Sequence, residues 1–140
     1  MGISKTMKVL IDTNILLYIY DGLDPFFKVI NLLDYKPEFY IHTTVLRELE
    51  ILSKKNEKSF IIPAKIRIAN KYLDTYKNMW KPVNDYEELP TDKALLMTAL
   101  KYNMLIFTND KELKHYAIKN SIGVLFLQEK GKIIKSLYTI

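Results

Sequence analysis

Four acidic residues that lie far apart in the sequence could together bind a divalent cation: Asp12, Glu48, Asp92 and Asp110. Two carboxylates ~5 Å apart repel each other by roughly 3 kcal/mol at an effective dielectric constant of about 20, so a group of four needs a counter-ion. Hard divalent cations prefer oxygen ligands, and a bound cation activates water and stabilises charge on a phosphoryl group. If the fold brings these carboxylates together, their chemistry is metal-assisted hydrolysis of an anionic substrate.

Asp12 and Asp110 each come at the end of a predicted β-strand. Both follow runs of apolar and β-favouring residues, which are typical of buried strands. Strands are predicted over four segments: 7–11, 38–42, 104–108 and 124–127.

Glu48 and Asp92 lie early in two predicted helices. Glu48 shares one helix face with Val45 and Leu49, so its carboxylate flanks the apolar stripe that faces the core. A carboxylate in that position needs a partner. The segment 80–89 is predicted to be a loop, and helices are predicted after 12–14 and over five further segments: 25–33, 43–55, 61–79, 90–102 and 110–120.

Strands that alternate with helices indicate a parallel sheet covered by helices. Ligands of such sheets bind beyond the carboxyl ends of the strands, where two of the four acids are predicted to lie. The length of 140 residues favours one domain over 1–140, with an N-terminal extension over 1–6. The last segment, 128–140, is predicted to form a strand or a hairpin around Lys130 and Gly131.

Composition restricts the function classes further. The net charge of +5 favours an anionic partner, nucleic acid first. The chain has no cysteine, which excludes disulfides, thiolate zinc sites and cysteine nucleophiles. No apolar run approaches the roughly 20 residues of a membrane span, and residues 1–7 lack the apolar stretch of a signal peptide. We therefore expect a cytoplasmic protein with no membrane partner.

Each acid also has a purely structural interpretation. Asp12 and Asp110 could simply cap the helices that follow them. Glu48 could form a buried salt bridge with a lysine or arginine, and Asp92 could be a favourable charge in a first helical turn. A helix cap and a metal ligand are compatible roles, so these alternatives stay open for each residue alone.

Four segments, in this order, resemble the signature segments of PIN-domain nucleases: 9–14 (VLIDTN), 45–49 (VLREL), 92–99 (DKALLMTA) and 105–110 (LIFTND). The resemblance covers about 7–127. It implies a Rossmann-like, three-layer α/β/α fold with a central, mainly parallel sheet. It also implies that the four acids are catalytic and hold Mg²⁺ or Mn²⁺.

The resemblance gives roles to three more residues. Asn14 and Thr108 align with polar residues that steady the acidic cluster, and the Thr108 hydroxyl could orient Asp12. Glu112 is a candidate for an additional acid. The segments 108–114 and 122–127 resemble the small ribosomal-RNA-processing branch of the family most closely, although toxin nucleases of toxin–antitoxin pairs share the core motifs.

Two groups of lysines are candidates for RNA contacts. Lys111, Lys114 and Lys119 lie on the helix that begins beside Asp110, so they could contact phosphates near the metal ligands. Lys54 and Lys55 lie in a polar turn beyond the Glu48 helix.

The resulting hypothesis is a metal-dependent endoribonuclease that acts in ribosomal or other RNA processing. Its first alternative is the ribonuclease toxin of a toxin–antitoxin pair, and its second is a non-catalytic module that binds RNA. Expected partners are RNA, an antitoxin or a ribosome-assembly protein, and a second copy of the chain. A phospho-receiver domain is a poor match, because Ile11 and Asp12 do not form the required acidic pair.

Overall fold

A computed structural model describes residues 6–55, 59–128 and 133–136 of the chain. In these ranges there are six strands: β1 (Lys8–Ile11), β2 (Glu38–His42), β3 (Trp80–Val83), β4 (Leu105–Phe107), β5 (Val124–Gln128) and β6 (Ile133–Ser136). The same ranges contain six α-helices: α1 (Thr13–Leu17), α2 (Pro25–Leu33), α3 (Thr43–Lys55), α4 (Ile61–Thr75), α5 (Thr91–Tyr102) and α6 (Lys111–Lys119). A 3₁₀ turn after α1 ends at Gly22, whose φ of 98° suits glycine.

The strands form one sheet in the order β3-β2-β1-β4-β5-β6. All neighbouring pairs from β3 to β5 are parallel, and β6 is antiparallel to β5, with Gln128 opposite Ile133. The predicted mainly parallel sheet is therefore confirmed. The predicted turn residues Lys130 and Gly131 lie outside the described residues.

The central strand β1 positions the acidic cluster. Its residues Val9, Leu10 and Ile11 are completely buried, because the strand is flanked by β2 and β4 and covered on both faces. From β1 the chain builds the sheet outward in one direction through β2 and β3, and later in the other direction through β4 and β5. The carboxyl end of β1, which Asp12 follows directly, is consequently the topological switch point where such sheets bind ligands.

Helices cover both faces of the sheet. Parallel crossovers are right-handed, so connections that run in opposite directions across a sheet place their helices on opposite faces. The helix contacts form one group of α1, α3 and α4 and a second of α5 and α6, and α3 also contacts α5. The core includes the fully buried side chains of Phe26, Phe39 and Phe107. The three-layer α/β/α fold is confirmed. Among the described residues, no helix has the length and apolar character needed to cross a membrane.

The prediction of a helix over 61–79 is wrong at its C-terminal end, because α4 ends at Thr75. The Trp80 indole Nε1 donates a 2.8 Å hydrogen bond to the carbonyl of Leu73. In a longer helix that carbonyl would accept from the amide four residues later. The side chain of Trp80, seven residues later, therefore replaces the hydrogen bond that continuing the helix would make.

The prediction of a loop over 80–89 is wrong for its first four residues, which form β3, and is confirmed for 84–89. This strand lies at the edge of the sheet, and Lys81 and Pro82 are exposed. An edge strand tolerates proline, since one side of its backbone has no partner. A strand of four residues, two of them exposed, shows no apolar periodicity. The other helices and strands predicted between residues 7 and 127 lie within one residue of their predicted bounds.

Candidate active site

Asp12 is a buried carboxylate with two hydrogen-bond donors. Its Oδ1 accepts from the Thr13 amide at 2.7 Å, and its Oδ2 accepts from the Thr108 hydroxyl at 2.6 Å. The register of the sheet explains the second contact, because Ile11 of β1 lies beside Phe107 of β4. The next residue of each strand, Asp12 and Thr108, therefore meets the other at the carboxyl end of the sheet.

Thr108 also connects Asp12 to Asp110. Its Oγ1 accepts a 3.0 Å hydrogen bond from the Asp110 amide. Asp110 Oδ1 in turn accepts from the Leu113 amide at 2.8 Å and caps α6. The capping interpretation is thus correct for Asp12 and Asp110, and it leaves Oδ2 of Asp110 without a hydrogen-bond partner among the described residues.

Glu48 and Asp92 have no ion pair within the part of the chain that the structure describes. Glu48 is half-buried on α3, whereas Glu50 on the same helix is exposed, as the helical spacing predicts. Arg47 turns away from the cluster and lies 3.7 Å from Glu87. The salt-bridge interpretation of Glu48 therefore has no support among these residues.

The electrostatic environment of Asp12 couples it to two other acids. Burial raises its pKa from 3.8 to about 6, while the hydrogen bonds from Thr108 and Thr13 oppose the increase. The charges of Asp92 and Glu48 raise it further. Although it is well hydrogen-bonded, this carboxylate is costly to ionise, because desolvation and like charges both disfavour its anionic form.

Asp92 connects the remaining acids to this group. Asp92 is exposed, yet partial desolvation raises its pKa. The charges of Asp110, Glu48 and Glu112 raise this pKa further. The fold therefore brings the four predicted acids, and Glu112 with them, within electrostatic range of one another. These five carboxylates are called the acidic cluster below.

The donor set of the acidic cluster suits a hard divalent cation, since it consists of carboxylates alone. In this arrangement, however, no three Asp, Glu or His side chains among the described residues form a group that could hold a metal ion. The side chains of Glu48, Asp92 and Glu112 have no ion pair in that part of the chain. Beside Asp12, the buried Thr13 hydroxyl also has no partner there.

Asn109 is a site residue that the sequence interpretation missed. Its Oδ1 accepts from the Leu127 amide at 2.7 Å, and its Nδ2 donates to the Leu127 carbonyl at 3.4 Å. The backbone amide of Asn109 lies 3.5 Å from Oδ1 of Asn14, the residue that was predicted to steady the acidic cluster. These contacts tie the ends of β4 and β5 together and so fix Asp110. The signal in the sequence is an asparagine directly after a strand and before a capping acid.

The three lysines predicted on α6 have different surroundings. Lys111, the first residue of the helix, is exposed beside Asp110, and Lys119 is exposed at the opposite end. Lys114 is half-buried, with its Nζ 4.6 Å from the centroid of the Phe126 ring. Lys114 therefore has a packing role in addition to any contact with phosphate.

The prediction that Lys54 and Lys55 lie in a turn beyond the Glu48 helix is wrong, because both belong to α3. Lys54 and Lys55 are both exposed in its last turn. Lys54 lies 3.5 Å from Glu50, and such an exposed pair contributes little stability. Both ammonium groups are thus accessible to an anion.

The sequence matches a family model described as a PIN-like domain over residues 9–130. It is 30% identical to Ribonuclease VapC4 of Methanocaldococcus jannaschii over 125 residues, which covers 88% of this chain and 92% of that protein. It is 31% identical to Ribonuclease VapC9 of Archaeoglobus fulgidus over 135 residues, which covers 96% of this chain and 93% of that protein.

Solved structures have the same fold at lower sequence identity. The PIN domain endonuclease Utp24 superimposes with a TM-score of 0.73 at 22% identity, covering 95% of this chain and 92% of that one. VapBC2 from Rickettsia felis, bound to a DNA fragment from its promoter, gives a TM-score of 0.57 at 18% identity, covering 86% and 98%. The family model and the two ribonucleases each extend over most of the chain, which therefore belongs to the PIN-like domain family.

Proposed function

We propose that this chain is a metal-dependent endoribonuclease in which Asp12, Glu48, Asp92 and Asp110 hold Mg²⁺ or Mn²⁺. The observation that carries the proposal is the environment of Asp12, a buried carboxylate at the topological switch point with a raised pKa and two acids near it. Such a group gains more from a cation than an exposed carboxylate does, because the cation offsets both the desolvation and the repulsion.

The residues of the site divide the work between them. The Thr108 hydroxyl donates to the carboxylate of Asp12 and so orients it, and the same hydroxyl oxygen accepts a hydrogen bond from the Asp110 amide. Glu48 and Asp92 would hold the cation together with Asp12 and Asp110, and one carboxylate of the cluster would accept a proton from water. A bound ion would supply Lewis-acid chemistry for the hydrolysis of a phosphodiester. Glu112 is an additional acid, and Asn14 steadies the cluster through Asn109.

Three observations favour RNA as the substrate. The two similar curated proteins are named ribonucleases. The net charge is +5 although five carboxylates lie together, so the surface elsewhere is strongly basic. A cavity of about 590 Å³ lies beside Asp92 and Glu112 and is lined in part by Met97 and Tyr116. That volume accommodates an unstacked base, which single-stranded RNA can offer and a paired strand cannot.

The biological role has two candidates. The segments after Thr108 favour processing of ribosomal or other RNA, with a ribosome-assembly protein as partner. The names of the curated relatives favour a ribonuclease toxin with an antitoxin partner. In either role we infer a single domain over 1–140 that acts in the cytoplasm, with homodimer formation as part of the proposal.

A cleavage assay with separate measurement of binding tests the proposed activity. The parent protein and Asp12→Asn are incubated with labelled single-stranded RNA in Mn²⁺, in Mg²⁺ and in chelator. We expect internal cleavage by the parent in metal alone, no cleavage by the variant, and RNA affinity within about twofold for both. RNA binding by the parent with no cleavage in either metal would instead identify a non-catalytic module.

Growth measurements and mapping of RNA ends in cells distinguish the two roles. The toxin role predicts growth arrest on expression of the parent, relieved by the product of a neighbouring antitoxin frame. The processing role predicts normal growth and new ends restricted to precursor RNA after depletion of the protein. Asp12→Asn is the matched control in both experiments.

A further inference from the structure

The loop between β3 and α5 forms hydrogen bonds that reach both α3, which carries Glu48, and α5, which carries Asp92. Asp85 is the centre of these contacts. Its backbone carbonyl accepts a 2.6 Å hydrogen bond from Nε2 of His42 and a 3.3 Å hydrogen bond from the Thr98 hydroxyl. One backbone oxygen thus joins the end of β2 to the middle of α5.

The Asp85 side chain makes a second attachment to α5. Its carboxylate accepts from Lys101 Nζ at 2.7 Å, and both of its oxygens lie 3.0 Å from the Tyr102 hydroxyl. An exposed ion pair by itself contributes little to stability. Here the ion pair is one of several interactions that converge on Asp85. Together they fix the orientation of the loop relative to α5.

The contact with His42 fixes the start of α3. His42 is completely buried, and its Nδ1 accepts from the Thr44 amide at 3.0 Å. A ring nitrogen that accepts carries no proton, so the neutral ring bears its proton on Nε2 and donates it to Asp85. Because α3 begins at Thr43, the residue after His42, this pair ties the first turn of α3 to the loop.

Glu87, two residues after Asp85, strengthens the attachment to α3. Its Oε2 accepts from the Thr43 hydroxyl at 3.1 Å and lies 3.7 Å from Arg47. Between the two acids, Tyr86 has a φ of 59°, a conformation that a residue with a side chain rarely adopts. Such strain persists only where the surrounding contacts determine the backbone, as they do here.

We propose that Asp85 is a positioning residue that sets the separation between Glu48 on α3 and Asp92 on α5. The proposal rests on the proposed function in one respect, that these two acids belong to the metal site. Asp85 bonds α5 near Thr98, Lys101 and Tyr102, several residues from Asp92, so it acts through the helix as a rigid body. Its backbone carbonyl holds α3 through His42, and these bonds act together with the direct contact between α3 and α5.

The absence of cysteine from the chain permits a distance measurement that needs neither metal nor RNA. Cysteines introduced at Glu50 and Lys93, both exposed and each two residues or fewer from a site acid, carry spin labels on α3 and α5. Asp85→Ala removes the carboxylate contacts with Lys101 and Tyr102 and keeps the backbone carbonyl that His42 and Thr98 contact, so it loosens α5 from the loop while α3 stays attached. We expect one narrow distance distribution in the otherwise unchanged chain and a broader or shifted one with Asp85→Ala. Asp85→Asn keeps the acceptor for Tyr102 and is expected to lie between them.

The matched control is Asp74→Ala, which removes an exposed acid of α4 outside the cluster and the loop. It should leave the distribution unchanged. A distribution with Asp85→Ala that is identical to that of the control would overturn the proposal. If Asp85→Ala does not fold, Tyr102→Phe, which removes one hydroxyl, decides the question by the same criterion.

Manganese affinity provides the second readout. By calorimetry with MnCl₂ we expect Asp85→Ala to bind about tenfold more weakly than the parent, with RNA KM nearly unchanged and kcat reduced. Unchanged manganese affinity in a folded Asp85→Ala variant would contradict the proposal. If the parent itself binds no manganese, the proposed function fails, and the spin-label distances still decide whether Asp85 sets the separation of the helices.

Discussion

The Thr108 hydroxyl donates a 2.6 Å hydrogen bond to Oδ2 of Asp12, although 96 residues separate the two in the sequence. The contact follows from the parallel pairing of β1 with β4, which places the residues after both strands side by side. It orients a carboxylate whose pKa is nevertheless raised, because burial outweighs the stabilisation that the hydroxyl provides. This balance leads to the first two predictions.

Stability without metal should decrease as the pH rises through the titration of Asp12. The pKa of this carboxyl rises from 3.8 to about 6 on folding, so between these values the folded state binds more protons than the unfolded state. Ionisation therefore costs stability, on the order of 3 kcal/mol once the pH exceeds both values. Urea unfolding in chelator, below and above this window, measures the loss.

The control for this measurement is Asp12→Asn, which has no proton to release. The difference in unfolding free energy between the variant and the parent should increase with pH and level off above about 6. A difference that is independent of pH would show that Asp12 does not titrate in this range.

Manganese affinity should increase with pH over the same range. The cation needs the ionised carboxylate of Asp12, so protons compete with it at pH values below about 6. Calorimetric titrations should show binding that releases protons below this pH and releases few above it. Saturable binding whose affinity is the same on both sides of this pH would contradict the assignment of Asp12 as a ligand.

Asp92→Asn should be as stable as the parent in chelator, or more stable. Partial desolvation and the charges of Asp110, Glu48 and Glu112 all raise the pKa of Asp92, so removing its charge relieves repulsion. The variant should gain less stability from added manganese, because ligands stabilise the folded state by mass action. Thermal melts in chelator and in manganese, together with a cleavage assay, measure both effects.

For Asp92→Asn, cleavage should fall by orders of magnitude while the fold persists. Asp74→Asn makes the same chemical change at an exposed position outside the acidic cluster and should match the parent in every assay. A marked decrease in the melting temperature of Asp92→Asn in chelator would indicate a structural role for this carboxylate.

RNA affinity should fall when Lys114 and Lys119 are both changed to alanine, and its dependence on salt should weaken. Each phosphate contact that is lost lowers the slope of log affinity against log salt by about 0.7 for single-stranded RNA. The matched control changes Lys36 and Lys77, which line a groove at the opposite end of the strands, at the start of β2. Equal affinities for all three proteins would exclude α6 as the RNA platform.

Thr108→Val should show how much the orientation of Asp12 contributes, because Asp12 itself is retained in this variant. The substitution keeps the shape of the side chain but removes the donor to Asp12 and the acceptor for the Asp110 amide. We expect a loss of about 1–3 kcal/mol in stability, typical of buried polar groups left without partners, and weaker manganese binding. Thr108→Ser retains the hydroxyl and should restore most of both in unfolding and calorimetric experiments.

Most of the helices and strands follow from local patterns in the sequence. The strand Glu38–His42 and the helix Pro25–Leu33 have the predicted bounds, because residue spacing and a proline at the first helical position act over a few residues. β3 was not predicted, because its formation depends on a contact with a strand that is distant in the sequence. It is held by pairing with β2, and its exposed residues Lys81 and Pro82 show no strand pattern.

Local patterns in the sequence are enough to predict which carboxylates follow strands or begin helices, since these positions depend on neighbouring residues. The effects of these groups on one another depend on the folded chain. The bond between Thr108 and Asp12, the raised pKa of Asp12 and the junction at Asp85 all require segments that are distant along the chain. Desolvation and Coulomb interactions depend on distances in space, and these exist only once the sheet has set its register.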